Sequence, residues 1–92
     1  MGPDSYIGSI CLFAGGTTRG TIQGWLPCEG QSMTITQHEA LYSIIGTKFG
    51  GDGSHSFKLP DLRTKDSSGA PQPWGDHPAS MICVDGIYPN WD

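Results

Sequence analysis

The sequence is poor in positive charge. Lys and Arg number 5 against 9 Asp and Glu, giving a net charge of -4, and no basic run gathers them. Binding a nucleic-acid backbone needs several phosphate-neutralising cations on one surface, so nucleic acid is set aside as a partner class. An anionic membrane surface is disfavoured for the same reason. Long apolar runs are missing too. Ile7 to Ala14 is too short, and too broken by Gly8 and Ser9, for a spanning helix or the apolar centre of a signal peptide, and Met1 to Tyr6 carries no basic segment. The expectation is no membrane insertion and no visible export signal, which leaves localisation open, because a particle protein released by lysis needs none.

Cysteine is scarce and odd in number: Cys11, Cys28 and Cys83 do not make a disulfide framework. Free thiols are the favoured reading, with a Cys28 to Cys83 bridge as the alternative. Glu29 beside Cys28 works against a nucleophilic thiolate. His38, His55 and His77 are scattered, with no H-x-H, H-E-x-x-H or paired cysteines at ligand spacing, so no metal site and no cofactor are assigned. No nucleophile with a base, no spaced carboxylate pair and no phosphate loop is present, which argues against an enzyme.

What the chain does have is a centre, Gly24 to Arg63, that reads as strand, helix, glycine turn, short strand and locked corner. Thr36 and Glu39 have capping-box spacing, which predicts a helix from Gln37. Ala40, Leu41, Ile44 and Ile45 recur at helical spacing, and Gly46 stands where a helix ends. So short a helix must be held by packing, here against strands containing Ile10, Leu12, Leu26, Ile82 and Val84. Gly50 to Gly53 is a run of turn formers around Asp52. Phe57 and Leu59 then alternate with polar residues until Pro60 ends the pairing. Asp52, and Asp61 with Arg63, read as backbone caps and a corner lock rather than catalytic groups. Trp25 and Leu26 read as core, with Trp25 packing the helix against the sheet.

Three spaced stretches, GWLPCEGQ at 24–31, LYSIIGTKFGGDG at 41–53 and FKLPDLR at 57–63, resemble the signature of the phage tail-collar family, which includes tail-fibre tips and microcystin-dependent proteins. IGSICLFAG from Ile7 resembles the family's opening strand and MICVDGIYP from Met81 its closing strand. The resemblance implies an α+β fold, with a small, largely antiparallel sheet, one short helix and long ordered loops, as a single domain over residues 1–92. It also implies a homotrimer. The long insertion that relatives carry after the LPDLR corner is reduced here to Thr64 to Pro78, so the zinc-holding H-x-H of short tail fibres has no counterpart. One histidine from each of three subunits, His77 for example, meeting at an axis would be a variant of that site.

Thr64 to Pro78 reads as a loop, with three prolines and two glycines. Trp74, with no regular element to bury it, stands beside Asp76 and His77, and Tyr88, Asn90 and Trp91 form a similar cluster near the end of the sequence. Aromatic faces beside carboxylate, amide and imidazole groups are how proteins hold sugars. The competing reading is subunit contact, since Trp and Tyr are also enriched at interface centres. A closing strand of about ten residues would hold the clusters roughly 33 Å apart, so they would meet only between subunits. The Gly15 to Gln23 loop, with Thr17, Thr18 and Arg19, is the next candidate.

The function read from the sequence is a non-enzymatic, lectin-like oligomeric binder of surface glycans or receptors. Its rival is a structural trimeric cap or adaptor of a tail fibre with no ligand of its own. Only six residues precede the first strand, which is expected to favour the binder over a cap on a shaft.

Overall fold

The computed structural model describes residues 5–17, 22–75 and 77–89. Strands β1 (Ile10–Phe13), β2 (Trp25–Pro27) and β5 (Ala79–Cys83) form one sheet in the order β1-β5-β2. Strands β3 (Ser32–Thr34) and β4 (Ser56–Lys58) form a second. Both sheets are antiparallel, and helix α1 (Glu39–Ile45) lies between β3 and β4 in sequence. The expected α+β class, with small sheets, one short helix and long loops, is what the chain builds.

β5 is central, so its alternation feeds two cores. Ile82 points to one face, where it joins Ile7, Cys28, Met33, Leu41, Ile45, Phe57 and Leu59 beneath the helix. Ala79, Met81 and Cys83 point to the other, where they meet Trp25 and Trp74. Leu26 and Val84 pack partly against the helix-side core, as the apolar pattern predicted. Ile10 and Leu12 do not. Their register against Ile82 and Ser80 puts them on the helix side, yet they are 48% and 69% exposed. The helix-side core takes in Ile82 of the central strand with Leu41 and Ile45 of the 7-residue helix, but not Ile10 or Leu12 of the edge strand.

Trp25 likewise departs from expectation. It is buried, but in the cluster opposite the helix, so it braces β5 rather than the helix. The capping box does not form either. The N–H of Ile35 donates to the carbonyl of His55, prolonging the β3–β4 ladder, and the chain then winds into a tight 3-10 turn at Ile35–Gln37 that includes Thr36. His38 becomes the residue before the helix, with no side-chain cap. Gly46 does end it, at φ 54°, its N–H bonded to the carbonyl of Tyr42.

The glycine turn is as read. Asp52 Oδ1 accepts from the amides of Ser54, His55 and Ser56 at 2.8–3.0 Å, and these bonds hold its carboxyl down at about 2. Gly51, at φ 105°, lies so close to the backbone at Ser56 and Phe57 that no side chain fits there. The corner is locked as well. Arg63 grips Asp61 through Nε and Nη2, both at 2.9 Å, and Nη2 reaches the carbonyl of Glu29 at 3.0 Å. Thus GWLPCEGQ and FKLPDLR are one physical latch: the Leu62 amide donates to the Cys28 carbonyl, the Leu59 amide to that of Gln31, and the Gly30 amide to that of Pro60.

Candidate functional site

The loop from Thr64 to Pro78 is built around one carboxylate. Asp66 Oδ1 accepts from the Ser68 amide, the Ser68 hydroxyl and the Ala70 amide, while Oδ2 accepts from Gln72 Nε2. These bonds, that of the Ser68 hydroxyl foremost, lower the Asp66 pKa below the usual carboxylate range. The Gln72 amide donates to the Thr64 carbonyl, which closes the loop at its base. Beyond the base the chain turns again, where the His77 amide donates to the Trp74 carbonyl.

A groove of about 490 Å³ opens at this turn, lined by Thr64, Gln72, Pro73, Trp74, His77 and Pro78. Trp74 is its floor rather than its wall. Contrary to the expectation that nothing would bury it, Trp74 is only 7% exposed, packed in the cluster with Trp25 and Met81. Its Nε1 is buried without a hydrogen-bond partner. Little ring face is left for a pyranose, so the accessible groups are the exposed rim: Thr64, Gln72, His77 and the two prolines. Asp76 lies outside the described residues.

The second expected cluster opens at the other end of β5. Tyr88 is 48% exposed, and its hydroxyl shares a 2.6 Å hydrogen bond with Ser43 on the helix. With Tyr6, Ile7, Gly8, Ser9, Ile44, Ile87 and Pro89 it lines a depression of about 510 Å³. Asn90 and Trp91 lie outside the described residues. The two depressions share no lining residue. Between them runs β5, whose 5 residues span about 17 Å, shorter than the ten residues first read but still a separation. The alternative loop is nearer than its place in the sequence suggests, because the Thr17 amide donates to the carbonyl of Gly75 beside Trp74. Thr18 and Arg19 lie outside the described residues.

A third, open depression of about 1070 Å³ went unread in the sequence, lined among others by Cys11, Phe13, Ile22, Trp25, Asp85 and Ile87. The only signal for it is that β1 is apolar on both faces. The Ser43 to Tyr88 bond, 45 residues apart, has no sequence signal at all.

The cysteines are unpaired. Cys28 and Cys83 sit in clusters on opposite faces of the sheet, which rules out a bridge between them. Burial, with the charges of Asp61 and Glu29, pushes the Cys28 thiol up to about 11, and burial raises Cys83 as well. Neither is activated as a nucleophile. Among the described residues, no three His, Cys, Asp or Glu side chains gather as a metal would need, and no helix is long and apolar enough to cross a membrane.

A comparison with curated proteins finds no match. The family model described as Phage Tail Collar Domain matches residues 8–66, which takes in β1 to β4, the helix and the latched corner. This chain belongs to the phage tail collar domain family.

Proposed function

We propose that this collar domain is a non-enzymatic recognition module, a lectin-like binder of surface glycans or receptors carried on a virion or similar particle. The observation that carries the reading is the pair of depressions at the two ends of β5, each setting aromatic or proline surface beside hydroxyl, amide or imidazole groups. Tyr88 at one and His77 at the other are the described residues through which a saccharide is held; Asp76, Asn90 and Trp91, adjacent in sequence, are the further candidates that the sequence offers. Trp74 supports the first from beneath. The family resemblance implies three copies, and repeating two weak sites in three copies raises avidity without any new contact.

The rival reading, a structural cap or adaptor of a tail fibre, is favoured by the family's place in tail fibres and by the burial of Trp74. A glycan array separates them when the protein is probed beside His77→Ala and Tyr88→Ala, both at exposed positions. Retention of a saccharide by the parent protein and its loss in either variant supports the binder. No retained saccharide from an intact, assembled protein supports the cap.

A further inference from the structure

We infer that the depression at the Tyr88 end of β5 is a site for a neutral, hydroxyl-rich sugar, with Tyr6 as its stacking ring and Ser43 as the positioning residue that sets what Tyr88 can bond. This rests on the recognition reading above, and it names the ligand class and the residues of one of the two sites. The frame is a short ladder outside the main sheet. Tyr6 bridges Ile87 in parallel, the Ile7 amide donates to the Ile87 carbonyl at 2.8 Å, and the Ile87 amide to that of Ser5 at 2.9 Å. Ile7, buried in the helix-side core, anchors that ladder from beneath. Tyr6 is therefore held at its backbone while its side chain, 55% exposed, lines the depression with Tyr88.

The hydroxyls decide the chemistry of the ligand. Ser43 Oγ donates to the Ala40 carbonyl at 2.7 Å, and a carbonyl can only accept, so the one hydroxyl proton of Ser43 is committed there. The 2.6 Å bond between Ser43 and Tyr88 must then run from the Tyr88 hydroxyl to Ser43 Oγ. With its proton spent, the Tyr88 oxygen meets a ligand as an acceptor. A sugar hydroxyl can donate to it, whereas a carboxylate or phosphate oxygen, an acceptor itself, cannot. Tyr6 adds a ring for the C–H face of a pyranose, and a hydroxyl that can donate or accept.

Charge points the same way. The described residues that line the depression carry no charge at neutral pH. The flanking sequence, Met1 to Asp4 and Asn90 to Asp92, adds two carboxylates and no lysine or arginine, in a chain of net charge -4. That field opposes an acidic sugar and leaves a neutral one unaffected. The depression at the other end of β5 is built differently, with the imidazole of His77 on its rim and the buried ring of Trp74 beneath.

The test is a glycan array whose terminal sugars come in pairs differing only at C6, glucose with glucuronate and galactose with galacturonate, followed by titration of the retained pair. The neutral member should bind about tenfold or more tighter than its uronate, with no change between low and high salt. Tyr6→Ala should weaken that binding about tenfold or more, while Tyr6→Phe keeps most of it and both variants melt as the parent does. In the unaltered protein the ring signals of Tyr6 should shift on titration. Ser43→Ala returns the Tyr88 proton, so the preference for the neutral member should shrink, and Ser43→Thr, which can bond Ala40 and Tyr88 alike, should restore it. No saccharide retained by the intact, assembled protein would defeat the recognition reading and this site with it. A preference for the uronate, unweakened binding to Tyr6→Ala, unmoved Tyr6 ring signals or an unchanged preference in Ser43→Ala would overturn this assignment and leave recognition at the His77 end standing.

Discussion

Leu41 and Leu12 are the same side chain in opposite situations, and replacing each by alanine measures how far the helix covers the sheet. Leu41 is 0% exposed and packs with residues of both sheets, while Leu12 is 69% exposed at the edge. Leu41→Ala removes three buried carbons, worth about 2 to 2.5 kcal/mol by transfer alone. The cavity left between the helix and Phe57 and Ile82 adds to this, for an expected loss of about 3 to 4 kcal/mol. In a domain of this size that lowers the melting temperature by roughly 12 to 30 °C. Leu12→Ala removes the same atoms from water-facing surface and should change the stability of the separated chain by no more than about 0.5 kcal/mol. Thermal unfolding by circular dichroism, with dilute protein, reads both. Equal losses for the two variants would mean that the edge strand is core, and an unchanged Leu41→Ala curve would remove the helix from its place on the sheet.

Three further outcomes follow from local geometry. Gly51→Ala forces a side chain onto the backbone of β4 at a φ of 105° and should cost on the order of 2 kcal/mol or more, measured by urea unfolding. Asp52 has a folded pKa near 2, below its unfolded value, so its contribution is fully present above pH 4 and lost as pH falls towards 2; Asp52→Asn should flatten stability in that window, read from melting temperatures against pH. Trp74→Ala should destabilise the fold by about 3 kcal/mol or more, because the ring is packed rather than presented to ligand; a full melting temperature in that variant would restore Trp74 as a sugar platform.

The parts of the fold legible in the sequence are those set by one residue's chemistry. Asp52 among glycines and Asp61 two residues before Arg63 each have few physical uses, and each is used as read; Pro60 does not end the pairing as expected, because Glu29 and Asp61 bridge beyond it in the register of β3 and β4. The parts not legible depend on reach. Thr36 and Glu39 have the right spacing for a capping box, but the ladder bond from Ile35 to His55, twenty residues on, diverts the backbone before the cap can form. Ile10 and Leu12 have the right alternation for core, but β1 is the edge strand of its sheet and both are exposed there. At the candidate site, the loop character of Thr64 to Pro78 was plain from its prolines and glycines. The burial of Trp74 was not, because it depends on the far face of β5 offering Met81 and Cys83 as neighbours.

The recognition role is tested most directly by amide chemical-shift mapping of the assembled protein with the saccharide it best retains on a glycan array. The account predicts shifts confined to one or both ends of β5, at Thr64 and Gln72 to His77 or at Ile87 and Tyr88, which disappear in His77→Ala or Tyr88→Ala. Shifts that leave both ends of β5 untouched, or an assembled protein that retains no saccharide at all, would contradict it.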